Sequence, residues 1–387
     1  MTPGSDPAYW RHHVDPDFAA GVRRFCAEHV TPHGHAIDAQ DVYPTELVGA
    51  CAAQGYNTLV LEERHGGGGR STAHAVCAME ELSYGSAALG ISLITIFQTQ
   101  RIIERFGSEE LKAALLPRFA RGLRTSYALT ESAHGSDIRH LDTKARRDGD
   151  GWVIDGEKSF ITSGSAAELF VVLAETENGV STFAVERDGP GISAYESADA
   201  VTFGLRNGPH VNLVLEQVRV PERNLIGTEG KGLGQAMHTL ANSRVLAAAI
   251  SLGIARAAFD GAAGFAAGRQ AFGRHVLGFQ GIQWYFAEHL ARIDAARLLT
   301  YQAAGDLDAG LDIARSSSEA KLLASKVASD TASMAIQVCG ARGTMESAPF
   351  GRYLRDAKAY EIAGGSSEVL KNTIGKAILA AVPGPEP

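Results

Sequence analysis

The chain has 387 residues, 45% of them apolar and 21% charged. This is the composition of a globular protein with room for two or three domains of roughly 100–200 residues. Its net charge is −8 and no Lys/Arg block interrupts the acidic background, which excludes the basic stripe that a nucleic-acid binder needs. Cys26, Cys51, Cys77 and Cys339 are scattered without a C-x-x-C pair. That excludes a disulfide framework or a structural zinc and predicts buried, reduced thiols in a cytoplasmic protein.

Residues 1–16 and the tail from Val382 are rich in helix breakers and lack periodicity. The N-terminus shows no apolar signal core, and no apolar run reaches the ~20 residues of a membrane span. His12-His13 and His33-x-His35 have no carboxylate or cysteine at ligand spacing. They read as solvated loop histidines, and no metal site is predicted.

Residues 17 to 122 have helical periodicity, clearest from Glu80-Glu81-Leu82 to Ile103. The stretch Arg64-His-Gly-Gly-Gly-Gly-Arg70 lacks the G-K-[ST] of a phosphate cradle and predicts a flexible connector between helices. From 124 to 232 the period shortens to that of strands. Thr143–Arg147 and Trp152–Ile154 flank the turn Asp148-Gly-Asp-Gly151, a hairpin signal. Leu169–Leu173 suits a buried strand, Val211, Leu213 and Leu215 alternate, and Pro221 closes the region. From 233 to 381 the helical period returns. Leu246, Ile250 and Ile254 are spaced by four in an Ala-rich helix, and Ile282, Phe286, Leu290 and Ile293 share one face of another. Helices, strands and helices in succession predict an α+β fold with a small β domain in the middle. No G-x-G-x-x-G follows a strand, so a Rossmann site is not supported.

Several segments resemble the acyl-CoA dehydrogenase family. They are Tyr127-Ala-Leu-Thr-Glu-Ser-Ala-His-Gly-Ser-Asp137, Gly156-Glu-Lys-Ser-Phe-Ile-Thr-Ser-Gly164, Gly204-Leu-Arg206 with Val218-Arg-Val-Pro221, Arg269-Gln-Ala-Phe-Gly-Arg274 with Phe279-Gln280, Gln337-Val-Cys-Gly-Ala-Arg-Gly343, and Arg355-Asp-Ala-Lys358. Each alone has an ordinary structural reading; in this order they specify the family. The resemblance implies an N-terminal helical domain over 1–123, a β-barrel or sandwich domain over 124–232, and a C-terminal four-helix bundle over 233–387. It implies FAD, an acyl thioester carried by CoA or a carrier protein, an electron-transfer flavoprotein as acceptor, and a homotetramer or dimer. Tyr127, Leu129, Thr130, Gly135, Ser136 and Thr162 fall where the family holds the flavin and its phosphates. Phe160 replaces the usual Trp beside the ring, keeping the stacking surface without the indole N–H. Arg269 and Phe272 fall where the pyrophosphate is met across a subunit interface. Gln280, Gln337 and Gly340 would complete that site, and Ser366 and Glu368 fall at further FAD contacts.

The family reaction removes an α-proton while a hydride leaves the β-carbon for the flavin. It calls for a positioned base and for donors to the developing enolate oxygen. In this sequence Gly364 stands at the usual glutamate position, in Ile362-Ala-Gly-Gly-Ser-Ser-Glu368. The alternative position, before an arginine on an earlier helix, is Ser243 before Arg244. An unassisted serine is a poor base, so neither usual position can take the proton. Gly364 keeps its backbone N–H, and Arg244 falls where the family steadies the substrate. Glu361, one turn before Gly364, is a candidate base with a competing structural reading. His134 is unusual in its flavin-side loop but reads as a loop residue. Gln98 and Gln100 are suited to a polar acyl group. Three functions follow, in order: a dehydrogenase with a relocated base, a flavoenzyme with changed chemistry (elimination, isomerisation or oxygenation), and a non-catalytic homologue. The flavin-side residues argue against the last.

Overall fold

A computed structural model describes residues 13–196 and 200–382. His12 and the tail beyond Val382 lie outside the described residues. Helix α1 (Pro16–Phe25) starts where Asp15 accepts the Phe18 N–H at 2.8 Å and Pro16 takes the first helical position. A π-helical turn at Cys26–Val30 leads to α2 (Gly34–Gln40), and α3 (Thr45–Ala53), α4 (Thr72–Gly85), α5 (Ala87–Phe106) and α6 (Glu109–Ala120) complete the N-terminal part. Ser86 and Ser108 cap α5 and α6 through their hydroxyls. His33 and His35 are exposed, as expected, and all four cysteines are buried and free.

The glycine-rich connector is not a floppy one. The N–H groups of Gly67, Gly68, Gly69 and Arg70 donate to the carbonyls of Glu62, Thr58, Leu61 and Leu59. Those internal bonds use up the donors that a phosphate cradle would need and pin the loop to its own flank.

The middle strands are β1 (Thr125–Ala128), β2 (Lys144–Asp148), β3 (Gly151–Ile161), β4 (Leu169–Thr176), β5 (Gly179–Glu186), β6 (Ile192–Glu196) and β7 (Val211–Pro221). They form one sheet in the order β1-β4-β2-β3-β7-β6, with β5 paired to β4. The β2–β3 hairpin turns at the expected Asp-Gly-Asp-Gly, with Asp148 opposite Gly151. Strand β4 reads as an unbroken apolar run because both of its faces are covered. Leu169 and Val171 enter the helical core, whereas Phe170, Val172 and Ala174 enter the core of the β domain.

The C-terminal part comprises α7 (Gly232–Gly268), a short hairpin of β8 (Gln270–Ala271) and β9 (Arg274–His275), α8 (Gln280–Asp308), α9 (Ala314–Cys339), α10 (Phe350–Tyr360) and α11 (Ser367–Ala381). Helix α7 is long and apolar enough to cross a membrane, yet 89% of its apolar window is buried in the protein. It packs on α4, α5, α8 and α9. A buried ionic cluster ties these helices together: Glu80 accepts from Arg297 at 2.8 Å and Arg256 at 3.2 Å, and Glu81 from Arg256 at 3.0 Å and Arg23 at 2.8 Å. Burial opposes ionisation of Glu80, but the two arginines hold its carboxyl below the usual range.

Candidate active site

The residues expected on the flavin side converge where β1 ends beside β3. The loop after β1 is held by Ser159, whose N–H donates to the Thr130 carbonyl at 2.8 Å. Beneath it Lys158 and Glu131 form a buried ion pair at 2.7 Å. Glu131 also accepts from the N–H groups of Asp142 (2.6 Å) and Thr143 (3.0 Å). Burial lowers the Lys158 amine to about 8 against the opposing pull of Glu131. Glu131, His134 and Asp142 lie close enough to share a cation, but Glu131 is already committed to Lys158 and two N–H groups. His134 instead faces Asp142 at 3.4 Å.

At the end of β3 the register slips between Lys158 and Ile161, and Phe160 and Ser163 adopt positive φ values of 56° and 59°. A bulge of this kind re-aims side chains. Phe160 is left 59% exposed. Thr162 follows, with its carbonyl accepting from the Ser126 hydroxyl at 2.6 Å and its own hydroxyl 3.4 Å from His210 Nε2. Burial lowers the His210 pKa, which favours its neutral imidazole. Helix α5 braces this strand end: Thr95 reaches the Ser163 hydroxyl at 3.3 Å, and Asn207 donates to Ser92 and Ser163 at 3.0 Å each. Neither His210 nor Asn207 was legible as a site residue from sequence.

The residues fit a planar, polar-rimmed group. The Thr130 and Ser136 side chains make no hydrogen bond among the described residues, and the buried Tyr127 hydroxyl has no partner. Leu129 is half-buried beside them, and Gly135 is exposed with open space at its missing Cβ.

A second group lies around Gly364. Arg244, 2% exposed on α7, directs Nε to the Gly364 carbonyl at 3.3 Å and a terminal nitrogen to Ser318 at 3.3 Å. Ser243 bonds to the Leu240 carbonyl at 3.0 Å within its own helix. Gly364 has φ 71° and nothing within 4 Å of a Cβ built on it. Its N–H finds no acceptor among the described residues. Glu361 pairs with Lys358 at 2.9 Å. Burial would raise its carboxyl, but hydrogen bonding and the Lys358 ammonium hold it below the usual range. Ser366 caps α11 by accepting the Val369 N–H, and Glu368 is exposed in its first turn. On α5, Gln100 is fully buried and donates to the Asn57 carbonyl at 3.4 Å, while Gln98 is half-buried.

A third group sits apart on the surface. Arg269 ends α7, Phe272 is 95% exposed at φ 49° in the hairpin, and Gln280 opens α8. Gln337 lies in the last turn of α9, and Gly340 follows at φ 57°. Among the described residues none of these shares a hydrogen bond with the flavin-side group.

Residues 15–123, 126–218 and 230–379 match the N-terminal, middle and C-terminal domains of acyl-CoA dehydrogenases. The chain is 36% identical over 360 residues to the short-chain-specific acyl-CoA dehydrogenase of Clostridium acetobutylicum, covering 91% of this chain and 94% of the relative. The chain belongs to the acyl-CoA dehydrogenase family. Its fold matches butyryl-CoA dehydrogenase from Megasphaera elsdenii with a TM-score of 0.91 at 31% identity, over 97% of this chain and 99% of the other. A prolyl acyl carrier protein oxidase matches with a TM-score of 0.90 at 26% identity, over 96% and 99%. Structures of this fold have been solved with FAD and FADH2. FAD is the cofactor that the family assignment brings with it.

Proposed function

We propose that this acyl-CoA dehydrogenase homologue binds an acyl thioester, on CoA or a carrier protein, and desaturates it between the α and β carbons with a proton acceptor other than the usual glutamate. FAD, when bound, supplies the acceptor for the β-hydride. Tyr127, Leu129, Thr130, Gly135, Ser136, Phe160 and Thr162 hold its ring and phosphates, with Ser366 and Glu368 at its edge. Arg269, Phe272, Gln280, Gln337 and Gly340 meet the FAD of a neighbouring subunit in a homotetramer or dimer. An electron-transfer flavoprotein then takes the electrons, in the cytoplasm.

The observation that carries this reading is the backbone at Gly364. Its carbonyl is taken by Arg244 and its N–H has no acceptor among the described residues, which is the arrangement of a donor kept for a substrate oxygen. The α-proton has no carboxylate at Gly364 or Ser243 to receive it, and Glu361 is engaged with Lys358. Anaerobic mixing with a panel of acyl thioesters, on CoA and on carrier protein, tests the proposal. Bleaching of the flavin by at least one supports it, and no bleaching by any member sinks it.

The same absence favours a second reading, in which the flavoenzyme eliminates, isomerises or oxygenates. That reading is chosen if product accumulates without net transfer to a dye, or with consumption of oxygen.

A further inference from the structure

Lys321 lies on α9, fully buried, with Nζ 2.7 Å from the Gly365 carbonyl. Arg244 grips the preceding carbonyl, that of Gly364. Among the described residues neither cation forms an ion pair. Two buried positive charges side by side are costly: burial and the neighbouring guanidinium push the Lys321 amine down to about 7. A cluster that serves stability alone looks different here. Arg256 and Arg297, buried to the same degree, each face Glu80. Around Lys321 the charged groups on the packed elements are Arg244 from α7, Glu361 at the end of α10 and Glu368 at the start of α11. Neither carboxylate reaches it as an ion pair.

We propose that Lys321 is a positioning residue of the thioester site: with Arg244 it clamps the carbonyls of Gly364 and Gly365, holds the turn that presents the Gly364 N–H, and makes the site favour an enolate. This rests on the thioester reading above. Negative charge developing on the substrate is what an unpaired cationic pair lacks, so the binding of an enolate relieves the cost that burial imposes. Where the usual glutamate is replaced by glycine, stabilising the enolate is a way to make the α-carbon more acidic for another acceptor. The Lys321 charge is present below about pH 7 and is lost above it, so this help weakens as the pH rises.

Acetoacetyl-pantetheine tests this without any catalytic base, because the arm is common to CoA and carrier proteins and the ligand enolises by itself. FAD-loaded wild type and the variants Lys321→Met and Lys321→Arg are titrated with it across the pH range, following the enolate absorbance and the flavin spectrum. The wild type is expected to lower the enolisation pKa of the bound ligand. Lys321→Met should lose about tenfold or more of its preference for the enolate, the size of one charge-assisted hydrogen bond, and with it the inflection near pH 7. Lys321→Arg should retain most of the preference and move the inflection upward. Melting of Lys321→Met at or above the wild-type temperature, with normal FAD content, shows that the loss is not one of folding. An unchanged enolate preference in Lys321→Met overturns the inference and spares the thioester reading. Equal damage by Met and Arg, with lower melting temperatures, reduces Lys321 to a structural role and also overturns it. A wild-type protein that binds no acetoacetyl-pantetheine removes both.

Discussion

At Gly364 the backbone has a left-handed φ of 71° with empty space where a side chain would project. A glutamate fits there sterically and bears only the conformational penalty of a non-glycine residue, about 1–2 kcal/mol. Gly364→Glu is therefore expected to melt slightly lower and to bleach faster with any thioester that already reacts, by about 10²–10⁴ if proton removal limits the rate. Stopped-flow absorbance on the two proteins decides this, and an unchanged rate means that the proton is taken elsewhere. Lys321 carries a separate expectation for stability. Its amine is lowered in the fold, so the protonated form is penalised in the native state. That cost is full below about pH 7 and fades as the pH rises towards the ordinary lysine value. Lys321→Met should thus gain stability over wild type at pH 6 and gain less at pH 9, as read by thermal melts.

Single contacts between elements decide where the site's segments lie. Gly204 is required because a Cβ there would come within 2.2 Å of the Arg355 carbonyl. The next residue, Leu205, donates its N–H to Asp356 Oδ1 at 2.7 Å. Two motifs far apart in sequence, Gly204-Leu-Arg206 and Arg355-Asp-Ala-Lys358, are thus one joint between the β domain and α10. Burial raises the Asp356 carboxyl to about 6. Its ionisation costs stability, with the cost appearing as the pH rises from the unfolded value of an aspartate towards 6 and complete above that. Asp356→Asn keeps an acceptor for Leu205 and removes the charge. It should melt above wild type at pH 7.5 and not at pH 4. The Lys158–Glu131 pair plays a related part between β3 and the Thr130 loop. Lys158→Met leaves Glu131 charged and buried, at a cost of about 3–5 kcal/mol. Denaturant titration should show that loss, and FAD should dissociate more readily from the loosened loop.

Across the whole chain, the buried cluster of Glu80, Glu81, Arg256 and Arg297 joins α4 to α7 and α8. Arg256→Met removes one partner from each glutamate, leaving Glu80 to Arg297 and Glu81 to Arg23, and is expected to lower the stability of the helical parts together by about 1.5–3 kcal/mol, in one cooperative transition by circular dichroism. Outside the core, Phe272, Trp284, Tyr285, Leu298 and Leu299 are exposed on the hairpin and α8. Their exposure fits the multimeric site proposed for Arg269 and Gln280. Trp284→Glu should shift the sedimentation coefficient towards a smaller species and lower FAD occupancy.

The amino-acid sequence alone carried the order of helix, strand and helix, because periodicity is a local property of side-chain spacing. It determined the hairpin at Asp148–Gly151, since turn chemistry is local too, and it assigned FAD through motifs whose order is linear. Its resemblance to the family implies glycine and serine at the two positions proposed for the base. The tertiary structure decided what those local signals could not: that β4 is apolar on both faces because two cores meet there, and that the four glycines after His65 are locked by their own hydrogen bonds. It also brought Lys321, one helix away in sequence, under Gly365. That lysine sits among Ser317, Ala320, Ala324, Val327 and Ala328 on the buried stripe of α9. A charge on an apolar stripe is the local sign that accompanies the role proposed for it. Its partner is a backbone carbonyl, which every residue carries, so no spacing of residue types could have named it.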